Sequence, residues 1–238
     1  MPTIIVQGAM PCEIAYLKEW LPGGHTVTHG GYSFYETSYQ QAQIIISLTE
    51  IGIVNAALAT MMAIEKYHPT YIINQGTAGG HLPDLRPGDI IIGSSAVYLN
   101  DMRMPLKKVG EGSNALEWSP GSGCFILEAD PALVALAESL ASEGCLTVGR
   151  LGSGDLFSRE ADRIQWLHAK LGALCEDMES AAVYKACHAC QIPVIGIRII
   201  SNNELTGNHD DPEQTDPIHK KLQKYILAYL KKLIERKK

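Results

Sequence analysis

The sequence predicts an α/β fold, a single domain over residues 1–238 built as a mixed β-sheet core flanked by helices. Three observations predict it. Runs rich in β-branched residues alternate with segments of helical periodicity along the chain. Hydrophobic residues make up 46% and charged residues 19%, the balance of a globular protein with a full core. No internal repeat or linker divides the sequence.

The elements follow in order. Residues 3–6 are a short β-rich run, followed by a helix carrying Ile14, Leu17 and Trp20. Residues 25–28, 32–37 and 43–47 read as a meander, with Gly30-Gly31 and Tyr39-Gln40-Gln41 as its turns. Residues 52–67 read as a helix whose buried stripe is expected to be Val54, Leu58, Met61 and Met62. Glu65 is next on that spacing and marks where the helix leaves the core. Strands follow at 71–74 and 89–92. Residues 99–123 carry Pro105, Gly110, Gly112, Pro120 and Gly121 beside Trp118, and read as a long loop of the kind that is usually functional. Helices at 130–142 and 160–171 and strands at 147–151 and 193–200 continue the alternation. A further helix opens at Glu179, with Glu176 and Asp177 expected to cap its positive end. Residues 202–217 are polar and give way to a helix from 218, with Leu222, Ile226, Tyr229 or Leu230, and Leu233 on one face.

Composition narrows the function. A net charge of −6 argues against nucleic acid or an anionic membrane as partner. The apolar run 194–200 is broken by Arg198 and is too short to span a bilayer. Met1-Pro2-Thr3 enters a strand directly, so no signal peptide is expected. The cysteines at 12, 124, 145, 175, 187 and 190 make no disulfide framework and read as reduced thiols of a cytoplasmic protein. Cys187-His188-Ala189-Cys190 lacks a second Cys/His pair nearby, so its cysteines read as structural, and neither a metal nor an organic cofactor is expected.

The chemistry begins with Cys175-Glu176-Asp177-Met178-Glu179-Ser180-Ala181-Ala182. Glu179 opens a run of small residues that can only pack closely, so its carboxylate sits at the mouth of a buried helix. There it is placed to accept hydrogen bonds from a polyol such as a ribose. Other stretches supply matching parts. They are Gly8-Ala9-Met10 with Glu13, Asn74-Gln75-Gly76-Thr77-Ala78-Gly79-Gly80, Ser153-Gly154-Asp155-Leu156-Phe157, and Arg198 with Ser201-Asn202. In this order, from residue 3 to about residue 202, the chain resembles the nucleoside phosphorylase/nucleosidase superfamily. Within it, the 5'-methylthioadenosine/S-adenosylhomocysteine nucleosidases are the most similar.

The resemblance implies a nucleoside phosphorylase-like fold, a homodimer, and a small-molecule purine nucleoside as substrate. It implies that Glu179 binds the ribose hydroxyls and that Met178 packs beneath the sugar. Phe157 would stack on the purine and the backbone of Ser158 would read its edge. Thr77, in what reads as a Gly-rich turn, would line the nucleophile and ribose side, with Met10, Ala78 and Gly79 as further substrate-binding residues. Phosphorylases of the superfamily carry an arginine in the turn after the first strand. Here that turn, Gly8-Ala9-Met10-Pro11-Cys12-Glu13, holds an acid and no base. A carboxylate repels phosphate but can accept a proton from an attacking water. Glu13 is therefore the candidate general base, with Arg198 and Ser201 expected to fix the water and orient it.

Two departures stand out. The nucleosidases place an aspartate after the R-x-I-S stretch to protonate N7 of the leaving adenine; this chain has Asn202, which can bind but not protonate. Its amide matches the N7 acceptor and N6 donor of adenine. Rotated, it faces the acceptors of a 6-oxopurine, and an engineered, ligand-trapping Asn202 is also compatible with the sequence. The second departure is Asp101-Met102-Arg103-Met104-Pro105, where the nucleosidases carry an aromatic segment over the 5' group. The reading is hydrolysis of the N-glycosidic bond of a purine nucleoside. The alternatives are a 6-oxopurine nucleosidase resembling futalosine hydrolase, a purine nucleoside phosphorylase, and a nucleoside-binding protein impaired in catalysis.

Overall fold

The computed structural model describes residues 1–140, 146–209 and 212–236, with the side chains of 212–215 left aside. The chain runs β1 (Thr3–Gly8), α1 (Pro11–Trp20), β2 (His25–His29), β3 (Tyr32–Tyr39), β4 (Ala42–Leu48), α2 (Ile53–Tyr67), β5 (Tyr71–Gly80) and β6 (Ile90–Tyr98). It continues β7 (Met102–Arg103), β8 (Ser119–Pro120), β9 (Ile126–Glu128), α3 (Pro131–Glu138), β10 (Leu146–Ser153), α4 (Ala161–Leu171), β11 (Ala173–Asp177), α5 (Ser180–Ala189), β12 (Val194–Asn202) and α6 (Pro212–Glu235).

One mixed sheet organises the molecule, in the order β11-β10-β6-β12-β5-β1-β4-β3-β2, with β9 added to β6. β1 lies parallel to both β4 and β5, and β5 lies parallel to β12. β11 then folds back and pairs antiparallel with β5, at Cys175↔Gly80 and Glu176↔Gly79. Strands β5, β12, β6, β10 and β11 thereby close into a ring. Helices α1, α3 and α6 bury Ile14, Leu17, Leu133, Leu136, Leu222, Ile226, Tyr229 and Leu233 with one side of the sheet. Helices α2 and α5 bury Ala56, Ala63, Ala182 and Val183 with the other. Both Tyr229 and Leu230 are fully buried, so the α6 stripe is wider than one position per turn.

Several sequence expectations need correction. The α2 stripe is largely reversed: Val54, Leu58 and Met61 are exposed by 66%, 48% and 41%, Met62 alone of the four packs partly buried against the core, and Ala56, Ala59, Thr60, Ala63 and Ile64 are buried. α2 packs closely on α5, whose buried face is also small (Ala181, Ala182, Ala186), so the small stripe faces in and the large one out. Glu65 and Lys66 are exposed, where the helix is expected to leave the core, and Tyr67 packs partly buried against it. The Gly-rich segment 74–80 is not a turn but the second half of β5. Its glycines admit side chains from below the strand: a Cβ on Gly76 would stand 2.7 Å from Glu13 Oε1 and 2.8 Å from a guanidinium nitrogen of Arg198. Cys175-Glu176-Asp177 is the strand β11 rather than part of a helix, and Glu179 is the N-cap of α5. The 99–123 loop contains a small hairpin, β7 with β8, and a single turn at Ala115–Glu117. The helix expected at 130–142 runs Pro131–Glu138, capped by the Asp130 carboxylate; residues 141 and 142 lie outside the described residues. α6 starts at Pro212, upstream of the expected residue 218.

Candidate active site

The site gathers where β1, β5, β11 and β12 end. A cavity of about 320 Å³ opens there, lined by Met10, Glu13, Thr77, Ala78, Gly79, Phe157, Met178, Glu179, Ser201 and Asn202, among others. A smaller cavity adjoins it, sharing Gly79, Phe157, Met178 and Asn202 and adding His81, Ser158 and Glu204. The sequence-derived candidates thus line one space, except Arg198, which lies beneath it.

Glu13 sits in the first turn of α1 and is only 3% exposed. Its Oε2 accepts from the backbone N–H of Ala9 (2.7 Å) and Met10 (3.1 Å). Its Oε1 accepts from the backbone N–H of Thr77 (2.8 Å) and from the Thr77 hydroxyl (3.2 Å). Gln75 Nε2 donates to the Glu13 carbonyl at 2.7 Å and ties α1 to β5. The carboxylate is held by main-chain N–H groups of the turn after β1 and of β5, so its orientation is preset.

Arg198 and Ser201 direct their hydrogen bonds to groups other than Glu13. Arg198 is 1% exposed and bonds to Asp177 Oδ2 through Nε at 2.7 Å. Its Nη2 donates to Asn74 Oδ1 and to the Ser180 hydroxyl. Its Nη1 and Glu13 Oε1 both approach the space that a Cβ on Gly76 would fill, so the two charges face each other across that gap. Ser201 donates to Asn202 Oδ1 at 2.9 Å and so fixes the amide. Asp177 is the hub that sequence reasoning undervalued. It does meet the start of α5, accepting from the N–H of Glu179 and Ser180, both at 2.9 Å. It also accepts from the Ser153 and Ser180 hydroxyls, both at 2.6 Å, and from Arg198. Burial works against its charge, but the Arg198 guanidinium and these donors outweigh it and hold the carboxyl below the usual carboxylate range. Burial likewise opposes the Arg198 charge, and the carboxylates of Asp177 and Glu179 more than restore it. Removing either partner of such a buried pair typically costs ~3–5 kcal/mol.

Glu176 does not cap α5 either. Its carboxylate accepts from the Ser158 N–H (3.2 Å) and hydroxyl (3.0 Å) and lies 3.4 Å from His81 Nε2. It therefore pins the segment that carries Phe157, and the Ser158 N–H expected to read the purine is engaged within the protein. Phe157 itself is 57% exposed at the rim.

Glu179 is buried, and its Oε1 accepts from the N–H of Gly52 at 3.0 Å. Gly52 holds φ at +103°, a conformation that favours glycine, and Asp155 caps the next residue, Ile53, at 2.8 Å. Burial, helped by the nearby Asp177 charge, pushes the Glu179 carboxyl up to about 7. Asn202 is 2% exposed; its Nδ2 donates to Glu204 Oε1 at 3.2 Å. Sequence reasoning also passed over Cys12, Ile218 and His219, which line the larger cavity only. Their one sequence signal was proximity to Glu13 and to the start of the apolar α6 face.

Among the described residues, no group of three or more His, Cys, Asp or Glu could hold a metal ion, and no helix is long and apolar enough to cross a membrane. Comparison with known proteins places this geometry. A 5'-methylthioadenosine/S-adenosylhomocysteine nucleosidase of Bacillus thuringiensis subsp. konkukian is 34% identical over 203 residues, 84% of this chain and 85% of the relative. A nucleosidase of the same name from Colwellia psychrerythraea 34H, solved with adenine, superposes with a TM-score of 0.81 at 26% identity, covering 98% of this chain and 96% of the other. The native futalosine hydrolase of Helicobacter pylori superposes with a TM-score of 0.80 at 24% identity, covering 99% and 98%, and speaks for the fold alone. The model of the phosphorylase superfamily matches residues 3–235. A carboxylate cradle between the turn after β1 and β5, a buried Asp–Arg hub and a family match over almost the whole length agree: the chain belongs to the phosphorylase superfamily.

Proposed function

We propose that this chain hydrolyses the N-glycosidic bond of a purine nucleoside of the methylthioadenosine/adenosylhomocysteine type, releasing the purine and a 5-substituted ribose. The observation that carries the choice of water is the Glu13 cradle. The backbone N–H groups of Ala9, Met10 and Thr77 would otherwise suit an anion, and a carboxylate already occupies them. Neither lysine nor arginine lines either cavity among the described residues, and Arg198 is spent on Asp177, Asn74 and Ser180. A phosphate dianion would meet a buried acid and neither lysine nor arginine. Four donors fill the lone-pair sites of Glu13, and the Thr77 hydroxyl at 3.2 Å is the weakest of them. An attacking water takes over that position, with the Thr77 hydroxyl turning to it. Glu13 then accepts the water's proton as the bond to the anomeric carbon forms; the C–N bond breaks with its electron pair leaving on the purine, which takes a proton from solvent. Base release is expected to proceed in phosphate-free buffer and to leave free sugar. Strict dependence on phosphate, with a sugar 1-phosphate as product, would overturn the assignment.

Glu179 binds the ribose hydroxyls, which donate to its ionised form. With its carboxyl at about 7, affinity is expected to rise with pH through that value and level off above it. The ligand-free protein shows the opposite sign: the raised carboxyl favours the fold at low pH, and that contribution fades as pH rises through about 7. Calorimetric titration of a non-hydrolysed nucleoside analogue between pH 5.5 and 8.5 checks the first point. An affinity that stays flat across that range removes Glu179 from the ribose.

Met10, Ile51 and Ile218 give the end of the larger cavity away from Glu204 an apolar lining that suits an alkylthio group at the 5' position. The whole chain, 1–238, acts as one domain, in the cytoplasm where its thiols stay reduced. It works as a homodimer. Support comes from the outer face of α2, where Val54, Leu58 and Met61 stand exposed in line with Ile51 at the cavity. Sedimentation equilibrium showing a monomer at micromolar concentration would refute the dimer.

A further inference from the structure

Beside the purine end of the site stands a side-chain cluster that the mechanism above does not use. Glu204, in the turn Glu204–Thr206 after β12, has a side chain only 5% exposed. Its Oε1 accepts from Asn202 Nδ2 at 3.2 Å. Its Oε2 lies 2.7 Å from His209 Nδ1 and 3.5 Å from Arg159 Nε. Burial opposes its charge, but His209, the Asn202 amide and Arg159 together hold the carboxyl below its ordinary range. The turn is itself fixed, since Asn203 donates to the carbonyls of Leu82 and Leu85 at 2.7 and 2.8 Å.

An ionised carboxylate only accepts hydrogen bonds. Whatever Asn202 presents to Glu204 must therefore be N–H. On the other side Ser201 presents a hydroxyl to Asn202 Oδ1. The two neighbours leave the amide a single orientation. Its remaining capacity is one N–H and one carbonyl lone pair. That pair matches a purine edge with an acceptor at N7 and a donor at the 6-position, the edge of a 6-aminopurine. A 6-oxopurine presents acceptors at both places. Meeting both requires the amide to swing its NH₂ across N7 and O6, which takes that group away from the Glu204 carboxylate that holds it.

We propose that Glu204, clamped by Arg159 and His209, is the positioning residue that locks the Asn202 amide and thereby sets selectivity for a 6-amino over a 6-oxo purine. This rests on the hydrolase reading for its kinetic consequence only; the base-binding consequence stands without it.

The test compares wild type, Glu204→Gln and Arg159→Gln. Two quantities are measured: kcat/KM for 5'-methylthioadenosine against 5'-methylthioinosine, and calorimetric affinity for free adenine against hypoxanthine. The wild type is expected to favour the 6-amino member by about 10–100-fold, the discrimination of one good bidentate pair. A glutamine amide holds the Asn202 NH₂ less firmly and leaves it free to swing towards both acceptors, so Glu204→Gln is expected to bring both ratios close to one. Arg159→Gln, which loosens the clamp without touching the amide, is expected to lower them less. Ratios unchanged in both variants would overturn the proposal, as would a loss of thermal stability in Glu204→Gln with the base ratio intact, or a wild type that prefers the 6-oxo member. If no nucleoside is turned over at all, the hydrolase reading fails by itself, and the adenine-to-hypoxanthine affinity ratio still decides the role of Glu204.

Discussion

Glu13→Gln is expected to cut turnover by ~10²–10⁴-fold, the contribution of a positioned general base, while nucleoside affinity stays close to wild type. The reason lies in the cradle. Glutamine keeps the length of the side chain but brings an NH₂ into a ring of donors. On one side it meets the N–H groups of Ala9 and Met10, on the other the N–H of Thr77. The only partner there able to change its role is the Thr77 hydroxyl, which can accept instead of donate. The amide therefore turns its NH₂ towards Thr77 and leaves one buried N–H poorly paired, at a cost of about 1–3 kcal/mol in stability. A lower melting temperature should accompany the loss of kcat. Single-turnover kinetics separate the two effects, because folded variant at low temperature must still bind analogue yet release base slowly. Near wild-type turnover would remove Glu13 from the chemistry.

Asn202→Asp is expected to act in the other direction on 6-aminopurine nucleosides, raising the rate of base release by up to ~10²–10⁴-fold. The gain does not come from the new carboxyl alone. Glu204 Oε1 is 3.2 Å from the atom being replaced, so the substitution sets two carboxylates in contact. Two such groups cannot both ionise easily; one is driven to keep its proton towards neutral pH, as in paired-carboxylate sites. That proton stands where N7 of the leaving purine needs it. The acceleration should fade as pH rises and the shared proton is lost. On a 6-oxopurine nucleoside the same variant should slow, since the ionised member faces O6. Pre-steady-state base release across pH 5–9 on both substrates measures this, and equal rates for wild type and variant on both would place residue 202 away from the purine edge.

The fold class and most of the site were legible in the sequence for identifiable reasons. Thr3–Gly8, Val194–Asn202 and the α6 face are apolar in a way that only a buried sheet and its covering helix explain. Glu13, Glu179 and Asn202 stand at element ends, where motif and position coincide. What stayed hidden depends on contacts between distant segments. α2 carries two apolar stripes, and periodicity alone favoured the bulky one; only the alanine face of α5 decides that the small stripe goes in. The Gly-rich stretch looked like a turn because glycine is common in turns. It is a strand whose missing side chains make room for Glu13 and Arg198. Asp177 looked like an ordinary helix cap because its ion-pair partner, Arg198, lies on another strand.

The return of β11 onto β5 bears on how the molecule meets its ligand. It joins the strands carrying Thr77, Asp177 and Arg198 into a hoop without a free edge, so these groups cannot part without breaking main-chain hydrogen bonds on both sides. The polar interior of the site is thus ordered before any ligand arrives, and the entropy lost on association falls on the ligand and on the exposed rim around Phe157. Affinity in such an architecture is governed by how well a nucleoside fits a rigid frame, and ligands already shaped like the strained, charge-separated sugar gain the most from it.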